Sequence, residues 1–80
     1  MRFEAGDDKE SMVARGLSFD AVLEAPVLDF IPNPKHADQM ILVVEIDRYA
    51  VAVPCKPLGK DHWLMVTAHP SRKLTRRYIP

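Results

Sequence analysis

The stretch MILVVEIDRYAVAV, residues 40–53, decides how this chain folds. Its first half, Met40–Ile46, is rich in β-branched residues, which favour strands, and it stays apolar on both faces until Glu45. Its second half, Tyr49–Val53, follows after only two residues, Asp47 and Arg48, so the spacing predicts a β-hairpin. Asp-Arg is not the Asn-Gly type of turn that such hairpins prefer, but the two halves together predict an antiparallel sheet at the centre of the molecule.

Two further strands are predicted on either side of this hairpin. Val27–Ile31 is a short apolar run that the Pro-Asn-Pro turn at residues 32–34 closes. His62–Ala68 follows the turn Lys56–Asp61 and is predicted as one long strand. Pro54 has no N–H to donate to a ladder, so we expect it at a sheet edge or a strand end.

Two short helices are predicted before these strands. Asp7 and Asp8 open the first helix, because carboxylates are favourable at the positive end of a helix dipole, and Gly16 supplies its left-handed stop. Ser18 is the predicted N-cap of the second helix, which ends before Pro26. Neither helix is long enough to be stable alone, so both are expected to pack on the sheet.

The predicted fold is therefore α+β: two short N-terminal helices packed on a three- to four-stranded antiparallel sheet, with a basic C-terminal tail or helix. Ser71 would cap that final helix. The 80 residues form a single domain, residues 1–80, because the chain is too short for two. A chain of this size buries only about 60% of its unfolded surface, so a partner chain could add to its stability.

Composition restricts the class of protein. Cys55 is the only cysteine, which excludes an internal disulfide framework and fits a reducing cytoplasm. No apolar run approaches the roughly 18–20 residues needed to cross a bilayer, and the first residues lack the apolar core of a signal peptide. The spacing of the three histidines matches no ligand pattern, so we expect no metal and no cofactor. We expect a cytoplasmic protein that does not associate with a membrane.

Charge separates almost completely between Asp47 and Arg48. Residues 1–47 carry ten carboxylates against four bases, a balance of −6, and residues 48–80 carry seven bases against one carboxylate, a balance of +6. Four of the bases fall in the last segment: Arg72, Lys73, Arg76 and Arg77. A small domain with one strongly cationic end suggests a polyanionic partner, such as a nucleic acid or an acidic protein.

The basic tail has two readings. If Ser71 caps a helix, Arg72 and Arg76 lie on one helix face, with Lys73 and Arg77 on the adjacent one. Guanidinium groups bind phosphate oxygens in pairs, so this surface could clamp phosphates. The same charges would equally suit a solvated helix whose bases complement the negative end of its dipole.

His69 and Tyr78 flank this tail. The imidazole of His69 could transfer protons near neutral pH, although a histidine at this place could simply end a strand. Tyr78 could stack on a nucleic-acid base or present its hydroxyl. Cys55 is interpreted as structural, since a nucleophile needs a base beside it in space.

Three segments resemble the BrnT-type toxins of bacterial type II toxin–antitoxin pairs, within the broader RelE/ParE-like group. They are RGLSFDAV at residues 15–22, ILVVEI at 41–46, and the closing segment from Thr67 through PSRK at 70–73 to RRY at 76–78. The resemblance spans nearly the whole chain in the same order, and RGLSF and PSRK are its most specific parts. Ala5 and Gly6 stand where such proteins commonly have an aromatic residue and an aspartate.

The resemblance implies a RelE/ParE-like fold and a metal-independent endoribonuclease that cleaves RNA to arrest growth. In such enzymes an RNA 2′-hydroxyl attacks the neighbouring phosphate, and the protein supplies position, positive charge and proton transfer. The residues implied for catalysis are Arg72, Lys73, His69 and Tyr78. The residues implied for RNA binding are Arg15, Arg76 and Arg77.

The resemblance also implies a partner, a cognate antitoxin of the ribbon-helix-helix type that covers the functional surface of the toxin. Either a homodimer or a toxin–antitoxin hetero-oligomer is compatible with this. Two other functions remain open: a non-catalytic module that binds nucleic acid or protein, and a gyrase-directed toxin of the ParE kind.

Overall fold

The computed structural model describes all residues, 1–80, and is mostly sheet, with 42% of residues in strands and 24% in helices. Six strands and three short helices follow one another along the chain. Their bounds are β1 Arg2–Ala5, α1 Lys9–Ala14, α2 Phe19–Glu24, β2 Val27–Pro32, β3 Met40–Ile46, β4 Tyr49–Gly59, β5 His62–Met65, β6 His69–Pro70 and α3 Arg72–Tyr78. No helix is long and apolar enough to span a bilayer.

The predicted architecture, two N-terminal helices on a three- to four-stranded antiparallel sheet, is wrong. A strand, β1, comes first, the helices α1 and α2 lie between β1 and β2, and the sheet has six strands, one pair of them parallel. The parallel partner of β1 is β5, with Phe3 opposite Trp63. β1 holds one large apolar residue among charged ones, so its local pattern is weak and its conformation depends on pairing with a strand about sixty residues away.

The predicted hairpin is confirmed. β3 and β4 pair antiparallel from Met40 opposite Cys55 to Ile46 opposite Tyr49. The connecting residues Asp47 and Arg48 both have positive φ angles, 53° and 64°. Two consecutive residues of positive φ are the conformation that a two-residue hairpin turn requires, and the chain adopts it without glycine.

The edge of β4 differs from expectation. β4 continues through Pro54 and does not end there. On that side of β4, β5 pairs from Cys55 onward and β6 pairs with Val51 and Ala52, so Pro54 lies in the gap between the two partner strands. Without an N–H, Pro54 loses nothing at this gap, and its carbonyl accepts a hydrogen bond from Val66 at 2.9 Å. The predicted single strand over 62–68 is therefore too long, because β5 ends at Met65 and the next strand, β6, begins only at His69.

The sheet order is β1-β5-β4-β3-β2, with β6 paired to β4 beside this path. The aromatic rings show that the sheet curls, because Phe3 on β1 and Phe30 on β2 belong to opposite end strands but their centroids lie 6.0 Å apart, edge to face. Phe30 also meets Trp63 edge to face at 5.3 Å.

The inner face of the curled sheet carries the core, and α1 and α2 pack against it. Eleven buried residues form one cluster: Met12, Leu17, Phe19, Val22, Leu42, Val44, Val51, Val53, Cys55, Met65 and Ala68. The predicted stop and cap of these helices are confirmed, since Gly16 has a φ of 73° and the Ser18 hydroxyl accepts a hydrogen bond from the Ala21 N–H at 3.1 Å.

The outer face of the sheet is where α3 packs. Val43, Ala50 and Ala52 alternate with the core residues of their strands and are buried. α3 is fixed there by its middle and by its last residue. Thr75 Oγ1 accepts a hydrogen bond from the Ala50 N–H at 2.9 Å, and the Tyr78 hydroxyl donates to Asp29 at 2.6 Å.

Candidate functional site

A polar groove of about 370 Å³ opens on the outer face of the sheet, next to the start of α3. Its floor includes Ile41 and Pro54, which pair across β3 and β4 and lie on the same face as Ala52. One wall is the loop between β2 and β3, and the other is the segment 66–69. We call it the histidine groove, because His36 lines one wall and His69 the other.

The loop wall is shaped by Asn33, which is buried with 9% of its surface exposed. Its side-chain oxygen accepts a hydrogen bond from the Lys35 N–H at 2.9 Å, and its own N–H donates to the Gln39 carbonyl at 3.1 Å. An asparagine that bonds to the backbone two residues later closes a tight turn. This turn leaves Lys35 and His36 exposed at the edge of the groove.

The opposite wall carries His69, whose strand β6 pairs with β4 so that His69 lies opposite Ala52. The residue as a whole is exposed, but its ring is partly desolvated, and this desolvation, together with the charge of Arg15, lowers the pKa of His69 below its ordinary value. A histidine whose pKa is lowered is neutral at neutral pH and can accept a proton.

Arg15 is held next to this wall by hydrogen bonds. Its Nη1 donates to the carbonyl of Ala68 at 3.1 Å and to Thr67 Oγ1 at 3.3 Å. Thr67 in turn donates to Asp8 at 2.6 Å, and that bond is the main reason the pKa of Asp8 is lowered. Through this chain of contacts α1 fixes a guanidinium group near His69, so the structure brings together two of the residues that the resemblance implied.

The four bases of α3 lie elsewhere. Arg72, Lys73, Arg76 and Arg77 are all exposed, and none of them lines the histidine groove. The helix begins directly after the groove wall, since Ser71 follows β6 and its hydroxyl caps the Leu74 N–H at 3.1 Å. The bases therefore form a solvent-facing cationic surface that leads away from the groove.

Tyr78 is engaged in anchoring α3. Donation to Asp29 raises the pKa of Tyr78 and lowers the pKa of Asp29. Arg77 lies over the tyrosine ring, 5.3 Å from its centroid. The hydroxyl of Tyr78 is thus committed to a contact between α3 and β2, away from the histidine groove.

Sequence reasoning missed His36 and Lys35 as members of a site with His69. The signal was present only in part, since the Pro-Asn-Pro turn showed that residues 35 and 36 would be exposed. Their position opposite His69 depends on the β2–β3 register, in which Pro32 pairs with Met40, and on the break between β5 and β6. Neither feature is visible in the local sequence.

Other reactive side chains do not assemble into a second centre. Cys55 is fully buried, and desolvation raises the pKa of its thiol to about 11, so the thiolate is disfavoured. No group of three or more histidine, cysteine, aspartate or glutamate side chains is arranged to hold a metal ion.

Comparison with known proteins adds no relative from which a function could be transferred. No protein-family model matches the chain, and no curated protein or solved structure matches it. The functional argument depends on the geometry of the histidine groove and of α3, with the BrnT resemblance as an expectation beside it.

Proposed function

We propose that this protein is a cytoplasmic growth-arrest toxin of the BrnT type, an endoribonuclease that cleaves RNA without a metal ion and is neutralised by a ribbon-helix-helix antitoxin. The observation that carries the proposal is that His36 and His69 line opposite walls of one groove that also holds Lys35 and adjoins Arg15. Two imidazoles and a lysine in one groove, with a guanidinium bonded to the back of one wall, are groups that phosphodiester transfer can use.

In the proposed reaction His69 acts as the base. Its neutral imidazole takes the proton of an RNA 2′-hydroxyl, whose oxygen then attacks the adjacent phosphorus. The bond from phosphorus to the 5′-oxygen breaks, and His36 gives that oxygen a proton. The products are a 2′,3′-cyclic phosphate and a 5′-hydroxyl. At the end of the reaction His69 has gained one proton and His36 has lost one.

Positive charge supports the same reaction. A phosphate in the groove would meet Lys35 on one wall and lie near Arg15 beside the other, and both cations stabilise the charge that builds up on the phosphoryl oxygens. The bases of α3 would bind the flanking RNA backbone, because single-stranded nucleic acids follow cationic surfaces. This assigns Arg72, Lys73, Arg76 and Arg77 to RNA binding rather than to the reacting phosphate.

The test is cleavage of a mixed RNA by the purified protein with EDTA present throughout. We compare the wild type with His36→Ala, His69→Ala and the double variant. His62→Gln is the matched control, because His62 lies beside Glu4 on the β1–β5 pair, 3.1 Å from its carboxylate, and does not line the groove.

We expect cleavage by the wild type and by His62→Gln, products ending in a cyclic phosphate, and a loss of about 10²-fold or more for each groove variant, the usual contribution of a proton-transfer residue. Intact RNA with the wild type would end the proposal. Cleavage that disappears with EDTA would contradict the metal-free mechanism. An equal loss of cleavage in the groove variants and in His62→Gln would show that the activity does not come from the groove.

A non-catalytic nucleic-acid-binding module is the second candidate. The exposure of all four α3 bases outside the histidine groove favours it, since such a surface binds a phosphate backbone without chemistry. RNA that stays intact but is bound in a salt-dependent manner would support this candidate over the nuclease.

A further inference from the structure

A second cavity lies between the two N-terminal helices. This α1–α2 cleft has a volume of about 280 Å³ and shares no lining residue with the histidine groove. Its apolar lining comes from the end of β1, from both helices and from the connection between the helices: Ala5, Met12, Val13, Leu17 and Phe19. Lys9, Ser18 and Asp20 complete the lining.

Apolar surface continues out of this cleft. Val13, which lines it, is 72% exposed, and Leu23 on α2 is 53% exposed. Each helix has only six residues and turns one side to the core, as the burial of Met12 and Val22 shows. Since isolated exposed apolar residues are ordinary, the informative feature is that Val13 borders a cavity with an apolar lining.

The surroundings of the cleft are acidic. Residues 7–24 contain five carboxylates and two bases, a balance of −3. Four of these carboxylates, those of Asp7, Glu10, Asp20 and Glu24, belong to exposed residues that form no ion pair in the structure, because both ion pairs present involve Glu4. Lys9 and Asp20 are the charged residues of the lining itself, but the exposed carboxylates of the segment 7–24 outnumber Lys9. An apolar cavity in this acidic segment is complementary to a ligand that is both apolar and cationic.

We propose that the α1–α2 cleft binds a cationic amphipathic helix of a partner protein. An apolar side chain of that helix would enter the cleft against Val13 and Phe19, and its lysine or arginine residues would face Glu10 and Asp20. Docking of the apolar side of an amphipathic helix into a groove is a common mode of recognition. The inference is independent of RNA cleavage, because it uses none of the residues assigned to that reaction.

A second copy of this chain does not fit the cleft. The only cationic helix of this chain is α3. Its Leu74 and Tyr78 are half-buried, and the Tyr78 hydroxyl is bonded to Asp29. The exposed residues of α3 are the four bases, so the helix has no free apolar side to offer. The occupant must come from another protein.

The probe for the experiment is a synthetic peptide of leucine and lysine at helical spacing, labelled for fluorescence anisotropy. A second peptide has glutamate in place of every lysine. Both are titrated with the wild type, with Val13→Asn, and with Glu10→Gln plus Asp20→Asn. The control variant is Leu58→Asn, since Leu58 is another exposed apolar residue, 48% exposed, on the far part of β4.

We expect the lysine peptide to bind the wild type and Leu58→Asn equally. Binding by Val13→Asn and by the charge variant should be about tenfold weaker, which is a moderate effect for one contact of an interface. The glutamate peptide should not bind. Absence of binding by the lysine peptide, equal binding of both peptides, or a loss in Leu58→Asn as large as in Val13→Asn would each overturn the proposal.

Two further measurements separate this proposal from others. Light scattering should show a monomeric wild type, and a dimer that Val13→Asn disrupts would overturn the assignment to a foreign helix. RNA cleavage by Val13→Asn should equal that of the wild type. A failure of RNA cleavage in all proteins would remove the proposed nuclease function and leave the result on the cleft unchanged.

Discussion

At the scale of single residues, the two groups next to each other in the candidate site are His69 and Arg15. The guanidinium is fixed through Ala68 and Thr67, and its charge acts on His69 together with the desolvation of the ring. Both effects oppose protonation of the imidazole, so the folded protein binds this proton less readily than the unfolded chain. The residue pair thereby keeps a proton acceptor available at neutral pH.

A titration of His69 tests this account without any assay of activity. The pKa of the His69 ring should lie below 6.5 in the wild type. Arg15→Gln should raise this pKa only part of the way back to 6.5, because desolvation, the larger cause of the lowering, remains. Arg15→Lys keeps the charge and should leave the value close to that of the wild type. NMR of the histidine ring protons measures it, and a value at or above 6.5 in the wild type would contradict the geometry. If His69 is the base, the rate of RNA cleavage should rise with pH through the same value.

Cys55 gives a second prediction at this scale. Its side chain is fully buried and its pKa is raised to about 11, so the thiolate that reacts with disulfide reagents is nearly absent at neutral pH. A thiol reagent such as dithionitrobenzoate should react with the native protein only as fast as it unfolds, and at once in denaturant. Rapid reaction of the native protein would show that β4 opens locally.

At the scale of elements, some of the structure follows from local sequence and some does not. The β3–β4 hairpin was predictable because its own residues favour strands and its two-residue connection fixes the register. β1 was missed because its stability comes from pairing with β5. The groove was missed for the same reason: His36 and His69 are brought together by strand register, whereas Ser18 and Ser71 were recognised as caps because a cap depends on its next three residues.

The hairpin turn provides a prediction on stability. Asp47 and Arg48 have φ angles of 53° and 64°, which residues with a β carbon adopt at a cost. Asp47→Asn combined with Arg48→Gly should raise the free energy of unfolding by about 1 kcal/mol, since Asn-Gly suits this turn. Asp47→Asn with Arg48→Ala is the control, because alanine keeps the β carbon and should give no such gain. Urea denaturation measures the difference, and an unchanged midpoint for the glycine variant would contradict the turn conformation.

The anchor of α3 predicts a dependence on pH. The pKa of Asp29 is lowered chiefly by the bond from Tyr78, so this contact stabilises the fold above about pH 3.8 and the stabilisation is lost as pH falls through the lower folded value. Tyr78→Phe should lower the melting temperature at pH 7. The difference in melting temperature between the variant and the wild type should narrow as the pH falls below 3.8 through the lower folded pKa of Asp29, as measured by circular dichroism. A gap that stays constant would show that the lost stability does not come from Asp29.

At the scale of the whole molecule, part of the separation of charge along the chain becomes a separation between the two faces of the sheet. The segment 7–24, with a balance of −3, places the helices α1 and α2 on the inner face with the core, and the basic helix α3 packs on the outer face. In the two proposals, the outer face binds an RNA backbone and the α1–α2 cleft binds a cationic protein segment. A molecule of 80 residues can therefore have two binding surfaces of opposite charge, and their separation makes them independently testable.

The salt dependence of RNA binding tests which charges form the outer surface. Binding is measured in the His36→Ala/His69→Ala background, so that the RNA stays intact, and the logarithm of the affinity is plotted against the logarithm of salt concentration. Each phosphate contact on a single strand contributes about 0.7 to the magnitude of the slope. Substituting Arg72 and Arg76 with alanine should therefore reduce the magnitude of the slope by about 1.4. Removing Lys56 and Lys60, which are exposed at the far end of β4 and in the following turn, changes the net charge equally and should leave the slope unaltered. Equal slopes for the two double substitutions would mean that RNA responds only to net charge and that α3 does not form the contact surface.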